Sequence, residues 1–190
     1  MKIVQTELPG VLAVDVDRYG DSRGSFLETW HKERYASIGL DADFVQDNVS
    51  FSHKGVLRGL HYQNPQPQGK LVYVLEGEIF DVAVDIRLGS PTFKRWFGMT
   101  LSFENNKQLY IPEGFAHGFA VLSPTARVGY KCTGYYRKDC ERTIRWDDPD
   151  IGVRWPVADP VLSDKDRAGL FLKDMPREHL FTSNEKRGNS

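Results

Sequence analysis

The run Phe80-Asp81-Val82-Ala83-Val84-Asp85-Ile86-Arg87 carries the plainest secondary-structure signal in this chain of 190 residues. Phe80, Val82, Val84 and Ile86 alternate with Asp81, Ala83, Asp85 and Arg87, the period-2 pattern of a strand with one face on a core. Working outward, the whole stretch 70–87 is β-patterned, and its break at Glu76-Gly77-Glu78 suits a tight hairpin turn. Upstream, 11–16, 25–30, 44–52 and 56–63 read as strands, the second following the turn signal Asp21-Ser22-Arg23-Gly24. Downstream, 95–102, 108–111, 118–122 and 127–133 do the same. Short strands repeated at close spacing, with Gly and Pro turns, predict an all-β sandwich or barrel. Short helices flank it: one over 32–38, stopped by Gly39, and one opening at Ser163, where Asp166 completes a capping-box pattern. No repeat, low-complexity tract or linker divides the chain, so 1–190 is expected to be one domain with a frayed polar tail over 174–190.

Composition bounds the function. The chain is 40% hydrophobic and 12% aromatic, enough for an ordinary core. Its 25 Lys+Arg against 26 Asp+Glu give a formal net charge of −1. That balance lacks the clustered excess cation of a nucleic-acid binder, though it permits a local basic pocket for a small anion. Two cysteines, Cys132 and Cys140, are too few for a disulfide framework. The N-terminal residues meet charge and proline before an apolar signal segment can form, and no stretch approaches the roughly 18 apolar residues of a membrane span. A reduced, soluble, cytoplasmic protein with no membrane partner is expected.

Two histidines stand in chemically suggestive contexts. His61 lies in Val56-Leu57-Arg58-Gly59-Leu60-His61-Tyr62-Gln63, and His117 in Ile111-Pro112-Glu113-Gly114-Phe115-Ala116-His117-Gly118. The second has the P-x-G-x-x-H form that resembles a motif of the cupin superfamily of small jelly-roll barrels. Where that superfamily often carries a second histidine this chain has Gln63, and Lys70 follows shortly after. Two imidazoles beside an ammonium do not make the three- or four-donor shell that zinc or iron requires, so no metal is expected. Strict alternation puts Arg58, Leu60 and Tyr62 on one face and Gly59, His61 and Gln63 on the other. Arg58 and His61 therefore need a local bulge to share a pocket. Further polar candidates are Gln46-Asp47-Asn48 in a β-patterned run, Arg23 and Glu28 around the first turn, and Tyr130; of Tyr135 and Tyr136, one could offer a flat face to a base. No hydrolase triad, P-loop or dinucleotide glycine motif is present.

Taken in order, the segments closely resemble the dTDP-4-dehydrorhamnose 3,5-epimerase family. They include Asp21-Ser22-Arg23-Gly24, Phe44-Val45-Gln46-Asp47-Asn48, Gly55-Val56-Leu57-Arg58-Gly59-Leu60-His61-Tyr62-Gln63 and Gln68-Gly69-Lys70-Leu71-Val72. Phe80-Asp81-Val82-Ala83-Val84-Asp85, Ser90-Pro91-Thr92-Phe93, the His117 motif, Tyr130-Lys131-Cys132-Thr133, Trp146-Asp147-Asp148-Pro149 and Leu162-Ser163-Asp164-Lys165-Asp166 continue the match. The resemblance implies a metal-free, cofactor-independent cupin jelly roll, usually a homodimer, with the N-terminal strands of 1–20 at its interface. It implies epimerisation of dTDP-4-dehydro-6-deoxy-D-glucose to dTDP-4-dehydro-L-rhamnose. Carried over by position, His61 is the base, Tyr130 the acid, Asp166 the partner orienting His61, and Lys70 the cation facing the oxyanion. Arg23, Glu28, Gln46, Asp47, Asn48, Arg58, Lys70, His117, Glu141 and Lys165 match substrate-binding positions, and Tyr136 the residue stacking on thymine. Arg137-Lys138 and Cys140 depart from the usual pattern, near the nucleotide end.

The implied chemistry is physically coherent. Protons beside a C4 ketone are acidic because an enolate delocalises the charge, and histidine is a base of suitable strength near neutral pH. A cation at the ketone oxygen stabilises that enolate best in a dry pocket. Relatives that invert only C3 or only C5 share the motif set. A metal-dependent cupin oxygenase and a non-catalytic sugar-binding barrel are the other two classes, the first disfavoured by Gln63 and Lys70.

Overall fold

The structure, a computed structural model, describes residues 1–183. Its strands are β1 (Lys2–Gln5), β2 (Leu12–Asp15), β3 (Arg18–Asp21), β4 (Gly24–Leu27), β5 (Gln46–His53), β6 (Leu57–Gln63), β7 (Lys70–Glu76) and β8 (Glu78–Asp85). They continue with β9 (Arg87–Leu88), β10 (Trp96–Ser102), β11 (Lys107–Ile111), β12 (Phe115–Val121), β13 (Thr125–Cys132), β14 (Glu141–Thr143) and β15 (Phe181–Thr182). Two short helices, α1 (Lys32–Ser37) and α2 (Asp164–Arg167), flank them. Gly39, at φ +104°, lies just past α1 as the sequence suggests, in a backbone conformation that favours glycine. No helix among the described residues is long and apolar enough to cross a membrane.

Two antiparallel sheets face each other, in the orders β1-β2-β11-β7-β13-β5 and β10-β8-β12-β6-β14. From β5 to β8 every connection crosses from one sheet to the other, as do those from β10 through β13. This is the jelly-roll solution to burying two apolar faces at once. The expected hairpin at Glu76-Gly77-Glu78 is therefore corrected: β7 pairs with β11 and β13, whereas β8 pairs with β10 and β12. Gly77 makes a crossover between layers. It sits at φ +81°, where an added Cβ would fall 2.1 Å from the Thr125 carbonyl oxygen, so both conformation and space require glycine. Val72 and Val74 from β7 meet Ile79 and Ala83 from β8 in the core between the sheets.

Strand β8 is covered on both faces, which the alternation Phe80–Arg87 did not reveal. Its apolar face, Val82 and Val84, packs away from the barrel interior against Ile144, Ile151, Leu172, Met175 and Leu180. The opposite face carries Asp81 and Asp85, each 0% exposed. Asp85 is satisfied by Arg87, Ser90 and Thr92. The same packing corrects the expected frayed tail. Met175 and Leu180 are buried, and β15 pairs in parallel with β9, so the chain is held down through Thr182. The rest of the tail, 184–190, lies outside the described residues.

Candidate active site

Strand β6 determines what the site can contain. Against β12, His117 pairs with His61 and Phe119 with Arg58, so β6 spends three steps where β12 spends two. The extra residue is a β-bulge, and it resets the parity of the strand. Arg58 and His61 consequently face one cavity, while Leu60 packs in the outer apolar cluster and Tyr62 belongs to that cluster and also borders the cavity. Strict alternation had separated Arg58 from His61. Gly59, at φ +137°, lies inside the bulge; a Cβ there would come within 2.5 Å of the Gly118 Cα.

The cavity, about 360 Å³, opens between the sheets and falls within the size range of small-molecule sites. From the five-stranded sheet come Arg58, His61 and Gln63 on β6, His117 and Phe119 on β12, and Glu141 on β14. Facing them are Lys70 on β7, Tyr130 and Cys132 on β13, and Gln46, Asn48 and Ser50 on β5. Tyr136 and Lys165 complete the rim, and Asp166 stands behind His61. Three expected residues lie elsewhere in the chain. Asp47 points to the opposite face of β5 and pairs with Lys131 at 2.9 Å. Arg23 is exposed at the β3–β4 turn and pairs with Asp21; Glu28 pairs with Arg34. Of the two adjacent tyrosines only Tyr136 lines the cavity.

His61 Nε2 lies 2.5 Å from Asp166 Oδ1, and the Ser163 hydroxyl donates to Asp166 Oδ2. One carboxylate thus accepts from the hydroxyl of Ser163, the residue that caps α2, and partners His61. With Nε2–H donated to Asp166, Nδ1 keeps its lone pair. Burial pulls His61 below the usual imidazole range, and the hydrogen bond and charge of Asp166 offset this only in part. Burial works to raise Asp166, but its bonds to His61 and Ser163 hold it below the usual carboxylate range. Across the cavity, burial raises Tyr130, so its phenol holds its proton. Burial lowers Lys70, opposed by Cys132, Asp81 and Glu141. A neutral imidazole and a protonated phenol therefore line the cavity from opposing sheets, with Lys70 on the same sheet as Tyr130.

Polar contacts fix the remaining groups. Glu141 accepts from Lys165 at 2.8 Å and from the Tyr136 hydroxyl at 3.3 Å. The Tyr136 backbone N–H donates to Gln46, whose amide donates to Asn48. Gln63 donates to the carbonyls of Gln66 and Tyr135 and accepts from the Arg137 N–H. A metal does not suit this donor set, because Gln63 is committed to loop backbone and Lys70 brings positive charge. Cys132 and Cys140 are buried and unpaired. The residue that the sequence reading passed over is Asp81, whose Oδ1 lies 2.7 Å from His117 Nε2. A charged side chain in the middle of a strongly apolar strand was the available signal.

Comparison with known proteins identifies the family. The chain matches the dTDP-4-dehydrorhamnose 3,5-epimerase family over residues 5–174. A dTDP-4-dehydrorhamnose 3,5-epimerase of Shigella flexneri is 53% identical over 176 residues, 92% of this chain and 97% of that protein. One from Methanothermobacter thermautotrophicus is 49% identical, covering 92% of this chain and 96% of the relative. A crystal structure of a Legionella pneumophila dTDP-6-deoxy-D-glucose-3,5-epimerase with dTDP-4-keto-L-rhamnose superposes with a TM-score of 0.93 at 50% identity, covering 96% of this chain and 98% of that one. Agreement that runs almost end to end, with relatives of the same length, leaves one assignment: the chain belongs to the dTDP-4-dehydrorhamnose 3,5-epimerase family.

Proposed function

We propose that this protein epimerises C3 and C5 of dTDP-4-dehydro-6-deoxy-D-glucose to give dTDP-4-dehydro-L-rhamnose, a step of dTDP-L-rhamnose biosynthesis in the cytoplasm. The observation that carries the reading is His61 and Tyr130 facing one cavity from opposite sheets. His61 Nδ1 takes the proton from the carbon beside the C4 ketone. The C–H electron pair moves into the carbonyl, and the Lys70 ammonium stabilises the resulting enolate oxygen. Tyr130 then gives its proton to the opposite face of that carbon, inverting it. Proton exchange with water restores neutral His61 and protonated Tyr130 before the second carbon reacts. Base, acid and cation suffice for this chemistry, with no electron transfer to a cofactor.

The other lining groups suit a nucleoside diphosphate. Tyr136 presents a half-exposed ring for thymine, and Arg58 and Lys165 bring positive charge to the diphosphate. Gln46, Asn48, His117 and Glu141 offer hydrogen bonds to the sugar or nucleoside. Arg23, Glu28 and Asp47 have a place if the protein is a homodimer. Strand β5 is an open sheet edge whose outer face exposes Val49 (63%) and Phe51 (45%). The β3–β4 hairpin exposes Tyr19 (63%) and Phe26 (67%). Apolar edges of this kind call for cover. A second copy supplies it, bringing Arg23 and Glu28 of one subunit towards the pocket of the other.

In D₂O, the wild-type protein is expected to place deuterium at both C3 and C5 of the substrate, read by NMR. His61→Asn is expected to abolish exchange while still binding dTDP; an active H61N would show that another residue removes the proton. Replacing Asp166 tests the dyad through pH. In the wild type, the protonation that inactivates His61 falls below its usual value, so the acid limb of kcat lies below about pH 6.5. Asp166→Asn removes the influences that raise His61 and leaves burial unopposed. The acid limb then moves to still lower pH, and kcat falls by about 10- to 100-fold as the base loses its orientation. An unmoved limb would contradict the coupling. Light scattering is expected to give twice the 21.7 kDa chain mass, and a fully active monomer would contradict the shared site.

A further inference from the structure

Asp81 occupies an expensive position. It lies on β8 beside Phe119 of β12 and Met99 of β10 and is fully buried. Oδ1 meets His117 Nε2 at 2.7 Å, but Oδ2 is buried without a hydrogen-bond partner among the described residues. A buried carboxylate oxygen left unpaired costs stability, and an apolar residue would fit this strand better. The fold alone gives no reason to keep an aspartate here. The cavity does: His117 lines it, and Asp81 is near enough to Lys70 to support its charge.

We propose that Asp81 is a positioning residue of this active site: its carboxylate fixes His117 so that Nδ1 addresses a hydroxyl of the bound sugar, and its negative charge balances the cations gathered for the substrate. The proposal rests on the epimerase reading above and deepens it. An isolated neutral imidazole carries its proton on either nitrogen. A carboxylate accepting at Nε2 leaves Nδ1 as the acceptor, and Nδ1 has no hydrogen-bond partner among the described residues. The cross-strand pair His61 and His117 is then built alike. Each ring is held through Nε2 by an aspartate, Asp166 or Asp81, which leaves Nδ1 as the acceptor, and both histidines line the cavity. One Nδ1 takes a proton from carbon, and the other holds the sugar in register for that transfer.

The Asp81 charge also acts apart from the His117 ring. Burial depresses Lys70, and the groups that face it are Cys132 on β13, Glu141 on β14, Lys165 on α2 and Asp81 on β8. Glu141 is already bonded to Lys165 and Tyr136, and Asp166 to His61 and Ser163. Asp81 Oδ2 has no hydrogen-bond partner among the described residues, and the Asp81 charge opposes the burial that depresses Lys70.

Two measurements test this. In full-length protein labelled with ¹⁵N-histidine, His117 is expected to show a protonated Nε2 and an unprotonated Nδ1 without substrate. A His117 protonated at Nδ1 instead would overturn the proposal, and this reading needs no turnover and no variant. Asp81→Asn keeps the shape and removes the charge. It is expected to retain its thermal midpoint within a few degrees, to lose at least 10-fold in kcat/KM with much of the loss in kcat, and to move the alkaline limb of kcat to lower pH. A merely structural role would lower the midpoint and leave kcat per folded molecule and its pH profile unchanged, which would overturn the proposal. Failure of the wild type to turn over dTDP-4-dehydro-6-deoxy-D-glucose would count against the proposed reaction, while the NMR result would still judge Asp81.

Discussion

The extra residue in β6 between Arg58 and His61 is the constraint on which the rest of the site depends. Side chains on a regular strand alternate, so Arg58 and His61, three positions apart, would point to opposite faces. With three steps on β6 set against two on β12, both enter the cavity, and Leu60 is left to the outer cluster. The bulge requires close backbone approach, which is why Gly59 lies against Gly118 with no room for a Cβ. Removing the bulge would break the anion pocket and the base apart without touching either side chain.

Around that point the barrel places opposed chemistry on opposed sheets. His61 is held in the five-stranded sheet by a carboxylate from α2, an element remote in sequence. Tyr130 and Lys70 come from the six-stranded sheet. Burial then acts differently on each group: it keeps the imidazole neutral and the phenol protonated, the states that base and acid need. One cavity thus sets both protonation states. The same burial makes each charge inside it costly, and Asp166 and Glu141 answer it by pairing with His61 and Lys165.

Much of this was legible in the chain. Period-2 runs gave the strands, Gly39 and Ser163 marked the helix boundaries, and the His61 and His117 motifs marked the cavity. What escaped were the long-range features. Gly77 looks locally like a hairpin glycine, and only strand pairing shows that it crosses between layers. Alternation in β8 suggested one covered face, because nothing local announces that Leu172, Met175 and Leu180 return to cover the other. Asp81 was therefore hidden among residues that alternation assigns away from the core. Arg58 and His61 were separated by a rule that one inserted residue overturns. Arg23, Glu28 and Asp47 lie off the cavity, each paired with a nearby opposite charge, Asp21, Arg34 or Lys131, that no strand pattern announces.

The central claim is that base and acid act from opposite walls of one cavity, so proton removal and inversion are separable. Tyr130→Phe in D₂O with dTDP-4-dehydro-6-deoxy-D-glucose tests it most directly. Neutral His61 still forms the enolate in this variant, but the opposite face lacks its donor. Deuterium should then enter the starting sugar with retained configuration, while epimerised product falls by about 100-fold or more. Inversion at the wild-type rate would contradict the account, as would loss of exchange and inversion together in a folded variant that still binds dTDP.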